Sequence, residues 1–172
     1  PTITITKSPT DLTSGNVTVS ISCDEPTLTL GWDTGEKTLD YFRNGFGTEI
    51  ANNNRQFVVS ENGTYTVYAS DTHGNDVVHF VTVGNIGYVL TLNKNINAGG
   101  TVATAKTYLK DTVVEITATP ASGYRFNNWV TSDVVLANEN NNVTTFTMPK
   151  KAVTVTANFV KQWTVTFKDW DN

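Results

Sequence analysis

The sequence predicts an all-β protein, and three observations predict it. Charged residues are only 16% of the 172 positions, and Thr, Val and Asn abound where helix formers such as Leu, Met, Gln and Glu are scarce, a bias toward pleated surfaces. Apolar and polar residues alternate in short runs, with the period of two of a half-buried strand. Clusters of Gly, Asn, Asp, Ser and Pro separate those runs, as turns require.

Taken in order, the first half offers "TITIT", "NVTVSISC", "TLTLGW", "LDYF", "RQFVVS", "GTYTVYAS" and "VVHFVTV", divided by "SPTDLTSGN", "DTGEK", "NGFG", "ANNN", "SENG" and "DTHGND". About seven strands at this spacing predict a sandwich of two sheets. On "VTVSISC", Val17, Val19, Ile21 and Cys23 share one face. Cys23 is the only cysteine, so no intrachain disulfide can form, and its apolar company predicts a buried, inert thiol. Trp32 has the parity of Leu28 and Leu30, which places it in the core of this half.

In "ENGTYTVYASDTHGN" a turn precedes Tyr65, which stands two residues before Val67. That is the arrangement of a tyrosine corner. On this motif, residues 1–84 resemble bacterial immunoglobulin-like modules of surface proteins, whose penultimate strand reads much like "NGTYTVYASDTHGN" before a final "FVTV". The resemblance implies an immunoglobulin-like β-sandwich over residues 1–85. "VGNIGY" (83–88) supplies two glycines and an Asn, a short linker.

The strand rhythm then restarts with "YVLTLNKN", "GGTVATAKTYL", "DTVVEITATP", "YRFNNWV", "NVTTFTMP" and "AVTVTANF". "GGTV", "DTVVEITATPASGYRFNNW" and "TFTMPKKAVTVTANF" occur in the order and spacing of the divergent internalin-type B repeat, of the Listeria-Bacteroides repeat group, which this half resembles. The resemblance implies a small β-rich, β-grasp-related domain over residues 86–161. "VVLANENNNV" departs from the pattern and reads as a relaxed hairpin loop. "QWTVTFKDWDN" (162–172) resembles the opening strand of a further, truncated repeat, so the chain is expected to be part of a longer array.

"GYRFNNW" (123–129) packs Tyr124, Phe126 and Trp129 into seven positions. Tyr124 and Phe126 share strand parity and Trp129 breaks it, so a bulge or bend is needed if all three face one side. A domain of about 75 residues is short of core material, and large apolar side chains contribute about 1.5–3 kcal/mol each when buried. The rings are therefore expected to form core, the indole edge reaching a polar partner. The competing use is a sugar platform, for which Trp32, Trp163 and Trp170 are further candidates.

Other chemistry finds little support. His73 and His79, the only histidines, have no ligand-spaced carboxylate or cysteine around them, and no metal site is expected. Asp71, Asn75 and Asp76 of "DTHGND" could suggest calcium but lack the 12-residue loop and its distal Glu, and such side chains usually bond their own backbone. No phosphate loop or G-x-S-x-G is present, so neither catalysis nor a cofactor is expected. The N-x-T sequons at Asn16, Asn62 and Asn142 fit the abundance of Thr and Asn. Lys7 on the first strand and Asn85 at the end of the last suggest an isopeptide pair, but an exposed ammonium is the ordinary outcome for Lys7.

The net charge of −4 and scattered cations argue against nucleic acid. No apolar run is long enough to span a membrane and no export signal is visible. What emerges is a monomeric, non-catalytic stalk or adhesion segment of a secreted, cell-wall-associated bacterial surface protein, with a host or matrix protein or a glycan as partner. The alternative is a carbohydrate-binding accessory module of a polysaccharide-degrading enzyme.

Overall fold

The computed structural model describes residues 1–163 and 165. The chain divides into two compact units, Pro1–Gly87 and Tyr88–Asn172, and its regular structure is almost wholly strand.

The first unit contains β1 (Ile3–Ser8), β2 (Val17–Cys23), β3 (Thr27–Thr34), β4 (Thr48–Ile50), β5 (Gln56–Val59), β6 (Gly63–Asp71) and β7 (Asp76–Val83). These form two antiparallel sheets, β1-β2-β5 and β4-β3-β6-β7. The β1-β2-β5 and β3-β6-β7 groupings are those of immunoglobulin-type sandwiches, with β4 beside β3 instead of β5. Alternation turns Val17, Val19 and Ile21 of one sheet toward Leu30, Val67 and Val83 of the other, and all six are buried. Cys23, at the end of that row, is only half-buried, because its strand runs out there; partial burial still raises its thiol pKa. Ile86 also packs into this core.

One expected strand is a helix. "LDYF" lies in α1 (Leu39–Arg43), and "TEI" of β4 supplies the seventh strand instead. The Thr38 hydroxyl accepts from the Tyr41 N–H at 3.3 Å, Asp40 stands in the first turn and Arg43 in the last, which together cap and charge-match a single turn. Its one buried residue, Phe42, stacks on Tyr68 at 5.0 Å on the outer face of the four-stranded sheet.

The tyrosine corner is present: the Tyr65 hydroxyl donates to the Glu61 carbonyl at 2.6 Å. Tyr65→Phe is expected to destabilise the first unit by about 0.5–1.5 kcal/mol. A lowered urea midpoint with an unchanged slope would report it.

The second unit contains β8 (Tyr88–Lys94), β9 (Gly100–Thr101), β10 (Lys106–Tyr108), β11 (Val113–Thr117), β12 (Thr119–Pro120), β13 (Tyr124–Val130), β14 (Val143–Thr147) and β15 (Val153–Lys161). Its main sheet runs β10-β8-β15-β13. The first and last of the unit's strands, β8 and β15, are parallel neighbours at its centre, and the flanking pairs are antiparallel, an order related to the β-grasp. The β11–β14 pair brings Val114, Ile116 and Phe146 into one core with Leu90, Val155 and Phe159.

Two expectations are corrected here. "GGTVATAKTYL" is two short strands, β9 and β10, in different sheets. "YRFNNWV" and "NVTTFTMP" do not pair with each other: β13 joins β15 and β14 joins β11, so residues 131–142 are a crossover and not a hairpin loop. The expected further repeat over 162–172, including Trp170, lies outside the described residues apart from 162, 163 and 165.

Candidate functional site

β13 carries the aromatic stretch beside β15, and its register slips between Phe126 and Asn128. The slip is a bulge, and it returns Trp129 to the face that Tyr124 and Phe126 occupy. Trp129 is 1% exposed, and Phe126 tilts against it at 5.4 Å and against Phe159 at 6.2 Å. Tyr124 and Phe126 are half-buried and pack on the same core. A sugar ring needs an open aromatic face; Trp129 has none to give.

The Asn-rich crossover, read as relaxed, is what satisfies this ring. The Trp129 indole N–H donates to the Asn141 carbonyl at 3.0 Å and its backbone N–H to the Glu139 carbonyl at 2.7 Å. Asn142 in turn donates its side-chain amide to the Ala118 carbonyl, and the Ala118 N–H donates back to Asn142. The loop is thereby fastened to Ala118, the residue between β11 and β12. A backbone acceptor carries no residue identity, so the sequence held no sign of this role.

The other candidates are dispersed. Trp32, half-buried, packs against the core of the first unit as expected and stacks on Phe57 at 4.3 Å. Trp163 is 77% exposed, with the Lys161 ammonium 4.4 Å from its ring centroid. His73 and His79 are both exposed, on opposite sides of the β7 start. Lys7 donates to the Thr82 carbonyl, whereas the Asn85 side chain donates to the carbonyls of Pro9 and Asp11 at 2.9 Å; the two are engaged elsewhere. Asn62 exchanges both amide bonds with the Ile86 backbone.

In "DTHGND" the Asp71 carboxylate accepts from the Asn75 side chain at 2.7 Å, the Asn75 N–H at 2.9 Å and the His73 N–H at 2.8 Å. These bonds, the Asn75 side chain first, hold its pKa down at about 2. Asp76 is bound by the Arg43 guanidinium at 2.6 Å. Among the described residues, no group of three or more His, Cys, Asp or Glu is arranged to hold an ion.

The Asp71 geometry fixes a pH dependence. A carboxylate whose folded pKa lies below its ordinary value of about 3.9 stabilises the fold above that value and ceases to as pH falls through the folded pKa. The first unit is therefore expected to lose stability between about pH 4 and pH 2, and Asp71→Ala to lower the denaturation midpoint at neutral pH while flattening that acid slope. Equilibrium unfolding across this range checks both.

A hollow of about 520 Å³ lies in the second unit between β10 and β11, with Lys106, Tyr108 and Glu115 as its ionisable lining and no Ser, His or Cys. A smaller one, about 170 Å³, opens on the outer face of the first unit beside Phe42 and Phe46.

Residues 88–162 match the divergent InlB B-repeat domain. The match runs from the first residue of β8 to just past β15 and includes "GYRFNNW". No curated protein matches the chain. Among solved structures, murine CEACAM1b aligns over 94% of this chain and 99% of its own, at 12% identity and a TM-score of 0.35, a likeness too slight to argue from.

Proposed function

We propose that this chain is a non-catalytic stalk or adhesion segment of a secreted, cell-wall-associated bacterial surface protein, pairing an immunoglobulin-like module with a B repeat. The observation that carries this reading is the parallel pairing of β8 with β15, Val153 opposite Leu90 through Ala157 opposite Lys94. The second unit begins at Tyr88, the first residue of β8, and β15 is the last strand among the described residues. Tension along the chain therefore pulls these neighbours past each other and strains their evenly spaced hydrogen bonds together, not singly. The first unit repeats the device in miniature: Thr13 bridges Ile86 in parallel, its N–H donating to Asn85 and its carbonyl accepting from Gly87. Small modules that resist shear suit a stalk that holds other parts of a surface protein away from the wall.

Atomic-force extension of a tandem polyprotein tests this. Each B-repeat unit is expected to rupture in its own force peak, with a contour-length gain of about 250 Å at 3.3–3.6 Å per residue. Smooth extension of the second unit without a peak would remove the mechanical basis of the proposal.

A further inference from the structure

The outer face of the first unit holds an aromatic assembly that its sandwich core does not use. Phe42 lies over Gly31 and beside Gly47, which has φ +91 and where a Cβ would stand 2.7 Å from the Phe42 ring. Gly47 is thus required both by backbone conformation and by contact. Phe42 stacks on Tyr68, and Tyr41 stacks on Phe46 at 5.3 Å. Tyr41 is fixed in turn by its hydroxyl bond to Asp33 and by the Lys37 ammonium 5.0 Å from its ring centroid.

Phe46 is the outermost ring and is 60% exposed. It stands on the wall of the hollow of about 170 Å³ whose lining also includes Phe42, Tyr68 and Glu49. A phenyl ring open to water, stacked on Tyr41 and sharing a small cavity with Glu49, is the chemistry that recognises an organic cation: the ring face attracts the charge, the carboxylate matches it, and the apolar walls accept its methyl groups. Lys37 already shows one member of the stack attracting an ammonium. The surrounding charge has the matching sign, since residues 1–87 carry Lys7, Lys37, Arg43 and Arg55 against ten carboxylates, a net charge of −6.

We propose that the Phe46–Glu49 hollow on the outer face of the first unit is a binding site for a methylated ammonium group. This goes beyond the stalk reading and stands or falls separately from it, because it concerns a different unit and a different measurement. Such a group could come from a choline headgroup or from a methylated lysine side chain, so the test has an arm for each.

The full chain, ¹⁵N-labelled, is titrated with choline chloride and with Nε-trimethyl-lysine at constant ionic strength, against 3,3-dimethyl-1-butanol, the uncharged isostere of choline. At least one cation is expected to shift the Gly45, Phe46 and Gly47 amides saturably, and to bind at least about tenfold more tightly than the isostere. Phe46→Ala should abolish the saturable shifts and Glu49→Gln should weaken binding severalfold, each with spectral changes in the free protein confined to residues beside the substitution, because both side chains are exposed. A choline-only response assigns a headgroup, and a trimethyl-lysine-only response a protein side chain. No saturable shift with either cation, equal binding of the neutral isostere, or saturable binding of cellohexaose at the same amides with no response to the cations would overturn the proposal.

Discussion

Trp129→Ala is expected to destabilise the second unit by about 3–5 kcal/mol, the largest single-residue effect in the chain. Trp129 is the largest fully buried side chain, at 1% exposed. Its removal leaves a cavity against Phe126 and leaves the Asn141 carbonyl, which accepts the indole N–H, without its partner. A small domain has only about 5–15 kcal/mol in total, so this unit should be unfolded or close to it at 37 °C while the first unit remains folded. Amide spectra would show the β8–β15 resonances collapsing and those of β1–β7 in place. Trp129→Phe, which keeps most of the ring and loses the hydrogen bond, should cost markedly less.

Gly100→Ala is expected to rank second. A Cβ there would lie 2.4 Å from the Thr119 carbonyl oxygen and 2.6 Å from two atoms of the Phe159 ring. The backbone at Gly100 is extended, with φ 163, so the effect is steric and not conformational. Overpacking costs about 1–3 kcal/mol and sometimes more. The upper end applies, because the nearest atom is backbone and belongs to the residue paired with Thr101 across β9–β12. Gly63→Ala, where nothing lies within 4 Å, is the control and should change stability by no more than about 0.5 kcal/mol. Thermal unfolding of the two variants beside the parent chain checks the difference. The "GG" of "GGTV" is thereby explained as a place where two strands and a ring converge too closely for any side chain.

Much of this was legible in the sequence because alternation reports directly on which side of a strand faces the core. Val17, Val19 and Ile21 were placed correctly by parity alone. The broken parity of Trp129 called for a bulge, and the register slips at that point. What escaped had identifiable causes. α1 was read as a strand because Tyr41 and Phe42 are β-favouring residues in a run too short to show helical periodicity; Thr38 as a cap was the one available signal. The strand partners in the second unit escaped because pairing β8 with β15 spans most of the unit, and nothing local encodes it. The Phe46 hollow leaves little trace in "NGFG", where two glycines signal a turn and nothing local distinguishes the ring between them.

The central claim is that the aromatic stretch of the second unit is interior structure and not a ligand surface. Hydrogen exchange at the tryptophan indole N–H groups, assigned with Trp129→Phe, tests it most directly. The account predicts that the Trp129 resonance, buried and bonded to the Asn141 carbonyl at 3.0 Å, persists in deuterated buffer with the slowest core amides of its unit. Exchange of that proton within the dead time, as fast as the indole of the exposed Trp163, would contradict it.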